Sequence, residues 1–194
     1  MKRLAAAFLF IVPFAFGGGY AARSSVYAKI DRCLAKPENA WNYRTGQCEQ
    51  APPGPVDRIV VDKSEHWMAV YWQGQIIREF RVALGKGGLK PKRRAGDRRV
   101  PEGLYTISAH NPASAYHRSL RIDYPTPEQI AEAAARGVKA GGDIMIHGLP
   151  DDRSWIGSRH RTMDWTEGCI AVTNPEMDWL FEAVPDGTPV EIRA

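Results

Sequence analysis

The chain has 194 residues, 44% hydrophobic and 25% charged, with 18 Gly, 14 Pro and only 3 Cys. These proportions fit one soluble globular domain and exclude a disordered chain, a collagen, a coiled coil and a disulfide-built mini-protein. A formal charge of +4, from 26 Lys and Arg against 22 Asp and Glu, is too mild to argue for nucleic acid as a partner.

Met1, Lys2 and Arg3 precede an apolar run broken by Pro13, and small uncharged residues follow to Ala22. Residues 1–21 therefore read as a signal peptide or an N-terminal membrane anchor, with Gly19-Tyr20-Ala21 of the small-x-small form that precedes a cleavage site. Both versions export the remainder to the periplasm or cell envelope, with membrane contact only through an uncleaved segment. Setting the leader aside leaves 24 basic against 22 acidic residues.

Residues 22–55 form an appendage and linker, ending in the Pro- and Gly-rich APPGP at 51–55. Cys33 and Cys48 lie in a stretch without clear periodicity, where a disulfide would hold a loop too small to build its own core. In an oxidising compartment that pair is expected to bond, with free thiols as the alternative, and Cys169 is left over.

From residue 56 the pattern turns strand-like. DRIVVDKSEHWMAVYW and QIIREFRVAL flank Gln73-Gly74, a turn signal; PEGLYTISAH and YHRSLRIDY follow a glycine-rich basic loop, residues 86–99, holding seven Lys or Arg against one Asp. Thr126 with Gln129, and Pro127 in the first turn, predict a helix stopped at Gly137. A short apolar strand then ends in His147-Gly148. Thr173 with Glu176 opens a second helix that runs toward Pro185, and TPVEIR is one more strand. The expected domain, residues 56–194, is mainly β with two short helices.

Two spots concentrate reactive side chains: Ile144-Met145-Ile146-His147-Gly148 and Trp165-Thr166-Glu167-Gly168-Cys169-Ile170-Ala171-Val172. Each places a polar residue at the edge of a buried strand, where the backbone holds it rigidly while the side chain leaves the core. Cysteine is a weak nucleophile at its reference pKa of about 8.5, but a neighbouring imidazolium can bring the thiolate into the neutral range. His147 is the natural partner, and outward-facing amides of Gly168 and Cys169 could form an oxyanion hole. The plainer alternative is a small buried cysteine and a satisfied strand-end histidine. His110, His117, His147 and His160 show no metal-ligand spacing, so no metal or other cofactor is expected.

The segments GDRRVPEGLYTI, SLRIDYPTPEQIAEAAARG, GGDIMIHG and TEGCIAVTNPEM resemble the catalytic domain of the L,D-transpeptidases, the YkuD-like family of cell-wall enzymes, from about Arg58 to Ile192. The resemblance implies a single L,D-transpeptidase-type domain, sandwich-like or barrel-like, acting on peptidoglycan stem peptides. It implies Cys169 as nucleophile, His147 as base, the Gly148 carbonyl orienting the imidazole, and an oxyanion hole at Glu167, Gly168 and Cys169. Tyr124, Arg153, Arg161, Trp165 and Thr166 are the candidate substrate contacts. The chain departs from the family pattern at Glu167, where many members carry a second histidine, and at Ala171, where many carry arginine. The loop 149–165 is also somewhat longer than usual. These departures are similar to a branch that hydrolyses the link between peptidoglycan and an attached protein. L,D-transpeptidation is the leading expectation; hydrolysis and a non-catalytic peptidoglycan-binding module are the alternatives.

Overall fold

A computed structural model describes residues 18–36, 38–43, 45–50 and 55–194, with side chains from Ser25 onward. Residues 1–17 of the expected leader and 51–54 of the linker lie outside the described residues. Among the described residues, no helix is long and apolar enough to cross a membrane.

In chain order the elements are α1 (Gly18–Leu34), β1 (Asn39–Asn42), β2 (Gln47–Gln50), β3 (Arg58–Asp62), β4 (Trp67–Trp72), β5 (Gln75–Arg81), β6 (Gly103–Ser114), β7 (His117–Ile122), α2 (Pro127–Ala135), β8 (Met145–His147), a 3-10 segment (Asp151–Thr162), β9 (Ile170–Ala171), α3 (Asn174–Ala183) and β10 (Pro189–Arg193). The two expected helices are α2 and α3. Their starts are set locally: the Gln129 amide donates to Thr126 Oγ1 while the Gln129 side chain accepts from the Thr126 amide, and Glu176 closes the same box on Thr173. The sequence reading missed α1 and the 3-10 segment. Neither carries a strong apolar stripe, so periodicity could not reveal them.

Gln73 and Gly74 join β4 to β5 with φ of 50° and 77°, the two positive values that a two-residue hairpin turn needs to follow strand twist. The strands order as β5-β4-β3-β10-β6-β7-β8-β9, with β10 parallel to β3 and β9 parallel to β8. The chain leaving β5 then returns to the opposite edge. Ala83 exchanges backbone hydrogen bonds with Ala171 at 3.0 and 2.9 Å, and the Thr166 amide donates to Leu84 O at 3.1 Å. The sheet thus closes on itself like a barrel, which removes its exposed edges.

Inside lie Ile59, Val61, Met68, Val70, Phe80, Ile107, Leu120, Ile122, Ile146, Ile170, Met177 and Leu180, all at 1% exposure or less. Each such side chain contributes roughly 1.5–3 kcal/mol of transfer free energy. The β1–β2 hairpin and α1 bury a separate small cluster, Ile30, Cys33, Leu34 and Trp41, with Tyr27 and Tyr43 against it. A disulfide joins Cys33 of α1 to Cys48 of β2.

Candidate active site

Strands β8 and β9 run parallel with Ile146 opposite Ile170 and His147 opposite Ala171. Cys169 therefore stands beside Met145. The pleat sends Ile146 and Ile170 into the core and puts Cys169 and His147 on the same opposite face. Glycines follow or precede each reactive residue for steric reasons. A Cβ at Gly148 would lie 2.7 Å from Asn174 Oδ1, and one at Gly168, where φ is 127°, would lie 2.8 Å from Arg99 O. Thr166 draws the turn before Cys169 tight: its hydroxyl accepts from the Gly168 amide at 3.2 Å and donates to Cys169 O at 2.7 Å. On the other strand, the Leu149 amide donates to Asn174 Oδ1 at 2.6 Å, so the first residue of α3 holds the chain leaving His147.

His147 Nδ1 lies 2.7 Å from Gly148 O. A carbonyl only accepts, so Nδ1 carries the proton and Nε2 keeps its lone pair. Tyr116 and Trp165 flank the ring at centroid distances of 4.5 and 5.6 Å. This burial pushes His147 down to about 4, against the opposing pull of the Gly148 carbonyl. Burial likewise pushes the Cys169 thiol up, opposed by the Met145 backbone amide and the charge of Lys92. The thiol donates to Asp143 O at 3.5 Å. At neutral pH the two groups are thus an uncharged thiol and an uncharged imidazole, in place of the thiolate that a neighbouring imidazolium would have stabilised.

Both residues line a cavity of about 820 Å³, together with Tyr116, Arg153, Arg159, His160, Trp165, Thr166 and Glu167. The 3-10 segment forms one wall. Of the expected substrate contacts, Arg153, Trp165 and Thr166 reach this cavity and two do not. Tyr124 is buried elsewhere, donating to Ala140 O at 3.0 Å. Arg161 turns inward to Glu176 and the Tyr43 hydroxyl, with 7% of its side chain exposed. Of the three expected oxyanion amides, that of Gly168 is occupied by Thr166, and Glu167 directs its carboxylate to Lys86 and Arg98.

Sequence reasoning missed Tyr116, Asp143, His160 and Asn174. Tyr116 sits at a hairpin tip and reaches His147 only through strand register, which no local pattern encodes. Asp143 holds a φ of 55°, a conformation aspartate adopts more readily than most residues but does not by itself announce. His160 accepts the indole proton of Trp165 at 3.4 Å, and its burial pushes it down to about 2.

The model of the L,D-transpeptidase catalytic domain, YkuD, matches residues 56–192. YafK of Escherichia coli strain K12, an L,D-transpeptidase by name, is 32% identical over 132 residues, covering 65% of this chain and 46% of its own length. The chain thus spans about half the length of that relative. YqjB of Bacillus subtilis strain 168, of similar name, is 29% identical over 140 residues, covering 69% of each. Among solved structures, a point variant of the helical cell shape determining protein Pgp2 from Campylobacter jejuni shares the fold. Its TM-score is 0.56 at 24% identity, covering 87% of this chain and 55% of that one.

Proposed function

Because the chain belongs to the L,D-transpeptidase catalytic-domain family, we propose that it is a cysteine acyltransferase acting on peptidoglycan stem peptides in the cell envelope, with Cys169 as nucleophile and His147 as general base. The observation that supports this reading is the register of β8 and β9, from which Cys169 and His147 share one face and line one cavity.

The chemistry starts from the neutral pair. As Sγ bonds to the carbonyl carbon of the donor stem, the S–H proton passes to His147 Nε2 and the carbonyl oxygen becomes an oxyanion taken up by the Glu167 and Cys169 amides, the Gly168 amide being held by Thr166. Collapse breaks the C–N bond, and the same proton goes to the departing amine, leaving a thioester. An acceptor amine then attacks the thioester carbonyl and gives its proton to Nε2; collapse breaks the C–S bond, and that proton passes to Sγ, restoring the neutral thiol and imidazole. Substrate carboxylates would meet the cavity arginines. Among the described residues, Arg153 pairs only with Asp152, at 3.9 Å, and Arg159 has no ion pair.

Hydrolysis, with water in place of the acceptor amine, is the second reading. Glu167 and Ala171, which replace residues common in the cross-linking members, favour it. Mass spectrometry after incubation with a carbapenem is expected to show one adduct, on Cys169, absent from Cys169→Ala; no adduct on the intact protein would refute the enzyme reading. Muropeptides digested with and without an acceptor amine then separate the outcomes. New cross-links mark transpeptidation, whereas shortened stems or released protein mark hydrolysis.

A further inference from the structure

A second cavity, of about 500 Å³, is lined by Arg93, Arg94, Asp97, Arg98, Arg99 and Arg136. None of these residues lines the cavity at Cys169. Asp97 is the one acid among them, and its charge is already engaged. It accepts the amides of Arg93, Arg94 and Arg99 at 2.7, 3.0 and 3.2 Å and pairs with Lys92 at 2.9 Å. Both charged side chains of that pair are at least nine-tenths buried, with 4% and 7% exposed.

Arg98 is engaged as well, with Glu167 at 3.0 Å. Among the described residues, the other guanidiniums have one carboxylate contact between them, a long exposed one. Arg99 Nε donates to Gly87 O at 3.0 Å and Arg136 Nη2 to Arg93 O at 3.1 Å, which orients both without neutralising them. Arg136 is also 3.8 Å from Glu132, an exposed pair worth little. Arg93 and Arg94 have no ion pair among the described residues.

The loop that presents them is fixed. Besides the three amides on Asp97, Lys92 N donates to Val100 O, Ala95 N to Lys139 O and Gly87 N to Arg98 O. Four like charges held around one hollow repel each other unless an anion enters. A guanidinium fork fits phosphate oxygens two at a time. The hollow calls for at least two negative charges, more than a single carboxylate supplies.

We propose that the hollow ringed by Arg93, Arg94, Arg99 and Arg136 is a binding site for a phosphate-bearing ligand, either a soluble phosphate group or the headgroup of an anionic phospholipid. The site shares no lining residue with the cavity at Cys169 and meets it through Arg98 on Glu167, the Arg99 backbone beneath Gly168 and the charge of Lys92, the partner of Asp97.

Calorimetric titration of the full chain with pyrophosphate at low salt should show one site, at least tenfold tighter than acetate and weakening as the screening length shrinks toward about 8 Å near physiological ionic strength. The double variants Arg94→Ser/Arg136→Ser and Arg93→Ser/Arg94→Ser should each lose at least tenfold in affinity. Arg58→Ser, which removes one exposed arginine elsewhere, should not. Thermal melts of both double variants establish that they are folded, and the second pair leaves the end of α2 untouched. Sedimentation with phosphatidylglycerol vesicles, against pure phosphatidylcholine vesicles, identifies the source. Binding that the double variants lose assigns the lipid headgroup, and pyrophosphate binding without vesicle binding assigns a soluble phosphate. Pyrophosphate no tighter than acetate, or double variants that bind like the parent, would overturn the site.

Discussion

His147 and His160 are linked through Trp165, which packs edge-on against both rings and donates its indole proton to the second. Burial is the leading cause of both depressed pKa values, about 4 and about 2. A base must be unprotonated to take the thiol proton, so activity requires pH above the folded pKa. The rate of Cys169 acylation is expected to stay flat from pH 8 to 5 and to fall toward pH 4. A midpoint near 6.5 would mean that the ring is solvated. His147→Gln should slow acylation by about 10²–10⁴-fold, the usual worth of a positioned base. The same shifts bear on stability. Between pH 6.5 and the folded values the unfolded chain binds protons that the folded chain does not, so stability present above pH 6.5 is lost as pH falls. For His147 the loss is on the order of 3 kcal/mol. His160→Gln keeps an acceptor for Trp165 and removes one titrating group, so its melting temperature should fall less between pH 7 and 5 than the parent's.

The 3-10 segment shows which elements a sequence declares and which it does not. Helices α2 and α3 announce themselves because their Thr-to-Gln and Thr-to-Glu boxes and their proline starts are local. The strands declare themselves by apolar runs with turns between them. Asp151–Thr162, DDRSWIGSRHRT, reads as a polar loop because what orders it comes from elsewhere in the chain. His117 bonds Asp151 at 3.0 Å, and Asp31 accepts the Ser158 amide at 2.9 Å. Glu176, 1% exposed, receives Arg161 and the Thr173 amide. This is why Arg161, an apparent substrate contact by position, is structural, while Arg153, nearby in the same segment, reaches the cavity. Breaking one side of a buried ion pair strands the other charge. Glu176→Gln is therefore expected to cost about 3–5 kcal/mol, read as a drop in denaturant midpoint. A loss below about 1 kcal/mol, the range of exposed pairs, would show that Arg161 finds solvent.

Across the whole molecule, the closure of the sheet against its β9 edge was the least legible feature. Residues 83–85 meet Thr166 and Ala171 through isolated backbone bridges, which leave no periodic trace, although the strands on either side were readable. The N-terminal unit raises the same issue at larger scale. It looked like an appendage, yet Asp31 of α1 and Tyr43 beyond β1 both hold the wall segment, and the Ser158 hydroxyl donates to Tyr27 O at 3.4 Å. The Cys33–Cys48 bond closes 15 residues, a loop worth about 3 kcal/mol on the chain-entropy account, and it ties the hairpin to α1. The main core and that small cluster are separate sets of buried side chains. A Cys33→Ser/Cys48→Ser variant, which leaves Cys169 intact, should therefore keep the sheet protected in hydrogen exchange while protection across residues 151–162 falls and acylation slows. Unchanged protection there would show that His117 and Glu176 hold the wall unaided, and loss of protection in β3 and β4 as well would show that the unit supports the whole barrel.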